Sequence, residues 1–305
     1  MCALSLQPGD GWGYGKRSTP MPYAQTHGIE LCYESFGAAD APLILLIMGF
    51  SAQMTGWDEG FCAMIARRGY RVVRFDNRDV GLSTKPPPGV RYTLEDMALD
   101  TVGLLDALGV ESAHVVGASM GGMIAQIMAV RHRARVRSLA SIMSNTGRPG
   151  VGYPRPEAFM ALSSPPPAGR EAYIDDMVAR LRVLGSPGFP FDEAKGRERI
   201  GKAYDRSFFP AGSARQFGAV MKARDRSEDL AKLDVPTVVI HGADDPLIQL
   251  DAGEDTARTI PGAKLVVIPG MGHDFPEGAW PVMVDAIIEN ARRGDGGGDG
   301  GGAAA

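Results

Sequence analysis

The residues with the clearest chemical potential surround Ser119, in the stretch Val115–Met123, VVGASMGGM. A serine on a sharp turn between an apolar strand and a helix has its hydroxyl lifted into the open. Such a hydroxyl becomes a nucleophile once a base takes its proton. The next residue, Met120, would open the helix and aim its backbone N–H at developing negative charge. Gly117, Gly121 and Gly122 supply the small residues that a strained turn with close neighbours needs. The competing reading is a glycine-rich turn that only packs a helix.

A base is required, and the chain has five histidines: His27, His114, His132, His241 and His273. His273 follows an apolar strand in IPGMGHDF, and loops at the carboxyl ends of strands are where ligands gather in open α/β sheets. His27 reads as a turn residue, His114 as the start of a strand and His132 as a solvated helix end. His241 ends a strand in the loop that would supply an acid. A third group must hold the imidazole in one tautomer, and HGADDPLI offers two carboxylates. Asp244 and Asp245 point in different directions on an extended chain, so one of them should reach His273. Asp245 is favoured because Pro246 restricts its backbone. Capping of the helix that follows is the alternative use of either acid.

A second oxyanion donor should come from the loop after an early strand, Met48-Gly49-Phe50-Ser51. Gly49 would let the backbone approach a substrate, and the Phe50 N–H would join that of Met120.

The elements that must position these groups alternate. Strands are expected at 29–36, 42–49, 70–75, 114–117, 136–143, 235–241 and 263–268. Helices are expected at 57–68, from Leu94 to Leu108 behind a capping pair Thr93 and Asp96, at 120–130, 251–259 and 281–291. Strand–helix alternation implies a mostly parallel sheet covered on both faces. The stretch 145–228, with Pro165-Pro166-Pro167 and helix-like patches at 174–184 and 213–223, breaks the rhythm and reads as a helical lid. The expected organisation is thus a loose N-terminal extension at 1–21, a core in two parts at 22–144 and 229–293, the lid between them, and a disordered Gly-rich tail at 294–305.

With 305 residues, 44% hydrophobic and 22% charged, the chain has an ordinary globular composition, and its formal net charge is −4. No basic stripe suggests nucleic acid. No apolar run approaches the roughly 20 residues of a membrane-spanning helix, and 1–20 lacks the pattern of a signal peptide. The three cysteines, Cys2, Cys32 and Cys62, match no disulfide or metal spacing, which fits a reducing cytoplasm, and Cys62 reads as core. No metal motif is present.

Taken together, Ile47-Met48-Gly49-Phe50, Phe75 to Ser83 (FDNRDVGLS), Gly117 to Gly122, His241 to Pro246 and Gly270-Met271-Gly272-His273 resemble the α/β-hydrolase superfamily over about 25–293. The MG oxyanion loop, Trp57 after it, FDNRDVGLS and GMGH make the chain similar to the aclacinomycin methylesterase branch. That resemblance implies ester hydrolysis with Ser119, Asp245 and His273 as the catalytic triad and Phe50 and Met120 as oxyanion donors. It implies no cofactor. The expected partner is a small-molecule ester, with no nucleic acid and no membrane, and a homo-oligomer is left open. Many members of the superfamily carry His-Gly where this chain has Met48-Gly49, so a polar side chain that often braces the loop is missing. Asp76, Arg78 and Asp79 read as a loop brace. Phe208, Phe209, Met143 and Trp57 are candidate substrate contacts. The rival activities are those of a lactonase, a C–C hydrolase or a perhydrolase, and the rival class is a ligand-binding receptor on the same fold.

Overall fold

The structure is a computed structural model that describes residues 21–296. Residues 1–20 and 297–305, with Cys2, lie outside the described residues. Most of the expected N-terminal extension and tail falls there.

Eight strands form one sheet: β1 (Tyr23–Thr26), β2 (Ile29–Phe36), β3 (Leu43–Ile47), β4 (Arg71–Phe75), β5 (Ala113–Ala118), β6 (Val136–Ile142), β7 (Thr237–Gly242) and β8 (Lys264–Ile268). Their order is β1-β2-β4-β3-β5-β6-β7-β8. The β1–β2 and β2–β4 pairs are antiparallel, and every later pair is parallel. The sequence reading did not include β1. It forms a hairpin with β2 through His27 and Gly28, at φ of 42° and 84°. Positive φ at both central residues is what the twist of a two-residue hairpin requires.

Strand β3 explains why the sheet is covered on both sides. All five of its residues are buried. Leu43, Leu45 and Ile47 pack on one face against α2 (Leu94–Ala107) and α3 (Met120–Arg131). Ile44 and Leu46 pack on the other face with residues of α1 (Glu59–Ala66) and α10 (Trp280–Gly294). A continuous apolar run is therefore the correct signature for a strand buried on both faces. Local capping fixes where helices start. Asp58 accepts from the Gly60 N–H, so α1 starts at Glu59, two residues later than the sequence pattern suggests. The Thr93 hydroxyl and the Asp96 carboxylate form a reciprocal capping box at α2.

Between β6 and β7 the chain forms α4 (Pro156–Ser163), α5 (Arg170–Leu184), α6 (Glu193–Arg206), α7 (Pro210–Val220) and α8 (Ser227–Leu230). The alternation then resumes with α9 (Leu250–Thr259). The helical insertion is tied to the core by charge. Arg215 of α7 makes a bidentate pair with the buried Asp79 at 2.5 and 2.8 Å. Arg206 of α6 pairs with the buried Asp76 at 2.7 Å. Asp76 also accepts from the Met54 and Leu82 N–H groups, while Arg78 makes a bidentate pair with Asp100. The 76–79 segment therefore braces its own loop and also seats the insertion.

The core extends further toward the C-terminus than expected. Helix α10 runs through Gly294, and the Asp295 carboxylate accepts from Tyr70 Oη at 3.0 Å and from Arg137 at 2.5 Å, with His114 Nε2 at 3.1 Å. The composition of the tail concealed this anchor because the partners are distant in sequence.

His114 and His241 are buried, and burial holds both imidazoles below their ordinary value. The unfolded chain binds their protons at about pH 6.5 and the native fold does not. Their contribution to stability is thus complete above about pH 6.5 and is lost as pH falls through the depressed native values. Urea unfolding between pH 8 and 5 should show stability declining below about 6.5, and His114→Asn should flatten that decline.

Candidate active site

Four loops at the carboxyl edge of the sheet build the site. Ser119 sits between β5 and α3 at φ 54° and ψ −121°, a backbone state that costs about 1–3 kcal/mol outside glycine. Its surroundings over-determine it. The Ser119 N–H donates to the Ile142 carbonyl at 2.9 Å, and its carbonyl accepts from Ser144 Oγ at 2.9 Å. The glycines are there for space. A Cβ on Gly117 would stand 2.0 Å from the Gly121 carbonyl oxygen, one on Gly121 2.1 Å from that of Ile47, and one on Gly122 2.6 Å from the Ser144 Cβ.

From this turn Ser119 Oγ reaches His273 Nε2 at 3.0 Å, and His273 Nδ1 reaches Asp245 Oδ2 at 2.7 Å. Nδ1 faces a carboxylate and therefore carries the proton, which leaves the Nε2 lone pair toward the serine. Asp245 is nearly inaccessible, and its other oxygen accepts from the Leu247 and Ile248 N–H groups at 2.8 and 2.9 Å. Burial pushes its carboxyl up, but His273, His241 and the Ile248 N–H outweigh burial and hold it below the ordinary carboxylate range. It is thus an ionised acceptor that orients the ring. Asp244 is turned away and accepts from the Gly270 N–H at 2.9 Å, so it braces the histidine loop from outside. Both acids are used, one on the ring and one on the loop that carries it.

Two backbone N–H groups flank the serine. Gly49 comes so close that a Cβ on it would lie 3.2 Å from Ser119 Cβ. Phe50 is the next residue in the chain. Among the described residues, neither the Phe50 nor the Met120 N–H donates to a protein acceptor. The pairing of β3 with β5, with Ile47 opposite Gly117, sets the two loops side by side.

The other histidines are engaged elsewhere. His114 contacts Ser138 and Asp295, His132 caps the end of α3, and His27 is in the β1–β2 turn. His241 Nε2 donates to the Ile248 carbonyl at 2.7 Å, beneath the acid loop. Burial pushes the Cys32 and Cys62 thiols up to about 11 and about 12, so neither is a ready nucleophile.

The candidate substrate contacts divide. Trp57 and Met143 must be corrected. Trp57 is 1% exposed, packed against Phe61 and Phe275 at 5.6 and 4.7 Å, and Met143 is 2% exposed. Both are walls of the core with no surface to offer a substrate. Phe208 is half-buried in an aromatic group with Tyr173 and Tyr204, at 5.2 and 4.6 Å. Phe209 is exposed, with the Arg215 guanidinium over its ring at 5.6 Å. Sequence reasoning missed the supports: Ser144 behind the elbow, Asn77 donating to the Met48 carbonyl at 3.0 Å, and Ser186 accepting from the Gly272 N–H at 2.9 Å. No spacing rule links these residues to the site, because their partners are remote in the chain.

The family model for the alpha/beta hydrolase fold matches residues 42–278. The chain belongs to the α/β-hydrolase family. Among its members, rhodomycin D methylesterase DauP of Streptomyces sp. (strain C5) is 30% identical over 281 residues, covering 83% of this chain and 92% of the relative. The bifunctional esterase/perhydrolase DCH of Acinetobacter calcoaceticus is 26% identical, over 84% and 94%. A solved structure of a thermophilic esterase from Thermogutta terrifontis superposes with a TM-score of 0.71 at 26% identity, covering 90% and 99%. The likeness to a methylesterase agrees with the aclacinomycin methylesterase branch that the motifs resemble.

The space beside the elbow leaves no room for a side chain at Gly121. Gly121→Ala should destabilise by about 1–3 kcal/mol or more through overpacking against a backbone carbonyl, measured by urea unfolding. Gly109→Ala, where a Cβ meets nothing within 4 Å, should lose far less, limited to the strain of its φ of 66°.

Proposed function

We propose that the protein is a serine carboxylesterase acting on small or medium apolar esters. The observation that carries this reading is the unbroken hydrogen-bonded line from Ser119 Oγ through His273 to Asp245. Ser119 Oγ attacks the ester carbonyl as His273 Nε2 takes its proton. The Phe50 and Met120 N–H groups receive the oxyanion, and each such donor contributes about 2.7–4 kcal/mol in acyl transfer. The C–O bond then breaks, and His273 gives its proton to the departing alcohol. Water attacks the acyl-enzyme, passing a proton to His273, and collapse releases the acid and returns the proton to Ser119. Asp245 stays ionised throughout and stabilises the imidazolium. No cofactor enters these steps.

In this reading the insertion, 145–228, is a lid, and Phe208 and Phe209 are its candidate substrate contacts. The similarity to DauP, named as a methylesterase, favours an ester over a lactone or a C–C bond. The similarity to DCH, named as an esterase and perhydrolase, supports testing peroxide as an alternative to water at the acyl-enzyme.

Hydrolysis of p-nitrophenyl esters of increasing acyl length should be abolished in Ser119→Ala, and a fluorophosphonate should label the wild type alone. Full activity in Ser119→Ala would overturn the assignment. Asp245→Asn should lower kcat by about 10⁴-fold, as loss of the orienting acid does in serine hydrolases. Asp244→Asn should stay within about tenfold, since Asp244 orients only the loop.

A further inference from the structure

The oxyanion loop is held from both sides. On the core side, the Met54 N–H donates to Asp76 at 2.8 Å, and Asn77 donates to the Met48 carbonyl. On the opposite side, the loop meets helices α6 and α7 of the insertion. Gln53 Nε2 donates to the carbonyls of Ala203 and Ser207 at 2.7 and 2.9 Å, and its Oε1 accepts from Arg206 at 2.7 Å. The Ser51 and Ser213 hydroxyls meet at 2.6 Å, and the Phe50 and Phe217 rings pack edge to face at 6.0 Å. At the centre of this seam is Gln216, fully buried on α7. Its Oε1 accepts from the Ser51 N–H at 2.8 Å, and its Nε2 donates to the Arg78 carbonyl at 2.9 Å.

These two bonds fix the orientation of the amide, because an N–H needs an acceptor and a carbonyl needs a donor. Gln216 therefore ties the main chain of the oxyanion loop to the main chain of the 76–79 segment. Ser51, which it grips, directly follows the candidate donor Phe50 and has φ 59°. The Ala52 N–H closes a turn onto the Gly49 carbonyl at 3.4 Å. A left-handed third residue in such a turn favours glycine or asparagine. Serine is held there only if its surroundings insist, and the Ser51 N–H is the group that Gln216 takes up.

We propose that Gln216 is a positioning residue for the oxyanion hole. It sets the turn that aims the Phe50 N–H, so that seating of α7 and assembly of the hole are one event. This inference rests on the esterase reading of the site. It concerns a residue of the lid that touches no reacting atom and acts through the backbone of Ser51. An oxyanion donor works only when it is fixed in advance, and displacement by about 1 Å is enough to lose about 10²-fold in rate.

The test uses the full chain and two substitutions. Gln216→Met conserves volume and removes both hydrogen bonds. Gln216→Glu keeps an acceptor for the Ser51 N–H. Turnover of a p-nitrophenyl ester is counted per serine labelled by a fluorophosphonate, so unfolded protein does not enter the rate. Gln216→Met should lower kcat by about 10- to 100-fold with KM within about threefold, the pattern of an interaction realised in the transition state. Gln216→Glu should recover only part of the loss, since it restores the acceptor for the Ser51 N–H but not the donor to the Arg78 carbonyl. Unchanged kcat in Gln216→Met overturns the proposal, as does a rise in KM alone, which would make Gln216 a substrate-binding or packing residue. If Gln216→Met yields no folded protein, Gln216→Leu, which also lacks the acceptor for the Ser51 N–H, takes its place under the same kcat-to-KM criteria. A wild type with no Ser119-dependent turnover overturns the esterase reading instead. The rate of fluorophosphonate labelling then tests Gln216, and equal rates in wild type and Gln216→Met overturn its positioning role.

Discussion

The strained backbone of Ser119 is the constraint on which the rest of the site depends. A serine at φ 54° is held only if the strand before it, the helix after it and the neighbouring loops leave it no other conformation. Three glycines let those neighbours approach to distances that no Cβ would allow. The reward is geometric. The hydroxyl stands clear of the chain, and the first N–H of α3 remains free of a partner at the same point. The histidine and acid loops are then arranged around a fixed position.

The pattern extends beyond the elbow. Of the five non-glycine residues with positive φ among the described residues, Ser51, Asp79, Ser119 and Met143 follow β3, β4, β5 and β6 in turn. Strain is thus gathered along one edge of the sheet, where the chain must turn sharply and still present backbone groups. Among the described residues, the opposite edge carries no non-glycine residue with positive φ. This division suits a sheet whose rigid core absorbs the cost while its carboxyl edge provides the chemistry.

The helical insertion is part of the frame. Two buried aspartates, Asp76 and Asp79, would be costly without Arg206 and Arg215, and both arginines come from the insertion. On the other flank, the His273 N–H donates to the Leu184 carbonyl at 2.7 Å, and the Gly188 N–H to that of Gly270 at 2.9 Å. The insertion therefore grips the oxyanion loop and the histidine loop at once. Its own interior is small, centred on Ile174, Val178 and Ile200, and much of its order is borrowed from these polar seams.

The sequence by itself determined the alternating sheet, the places of its seven main strands, and the residue types Ser119, Asp245 and His273 in loops after strands. It could do so because each signal is local: an apolar run, a cap, a glycine-lined turn. It did not reveal β1, whose four residues carry little pattern, or the anchoring of Asp295 beyond a glycine-rich stretch. Nor did it decide between Asp244 and Asp245 except by the neighbouring proline, since the choice depends on which side chain the twist of β7 and β8 turns inward. Trp57 and Met143 looked available in sequence and are buried. Gln216, Ser144, Asn77 and Ser186 looked ordinary and are structural supports. Tertiary structure alone decided these roles, because burial and hydrogen-bond partners are properties of chain segments brought together from up to 225 residues apart, and no local pattern records that meeting.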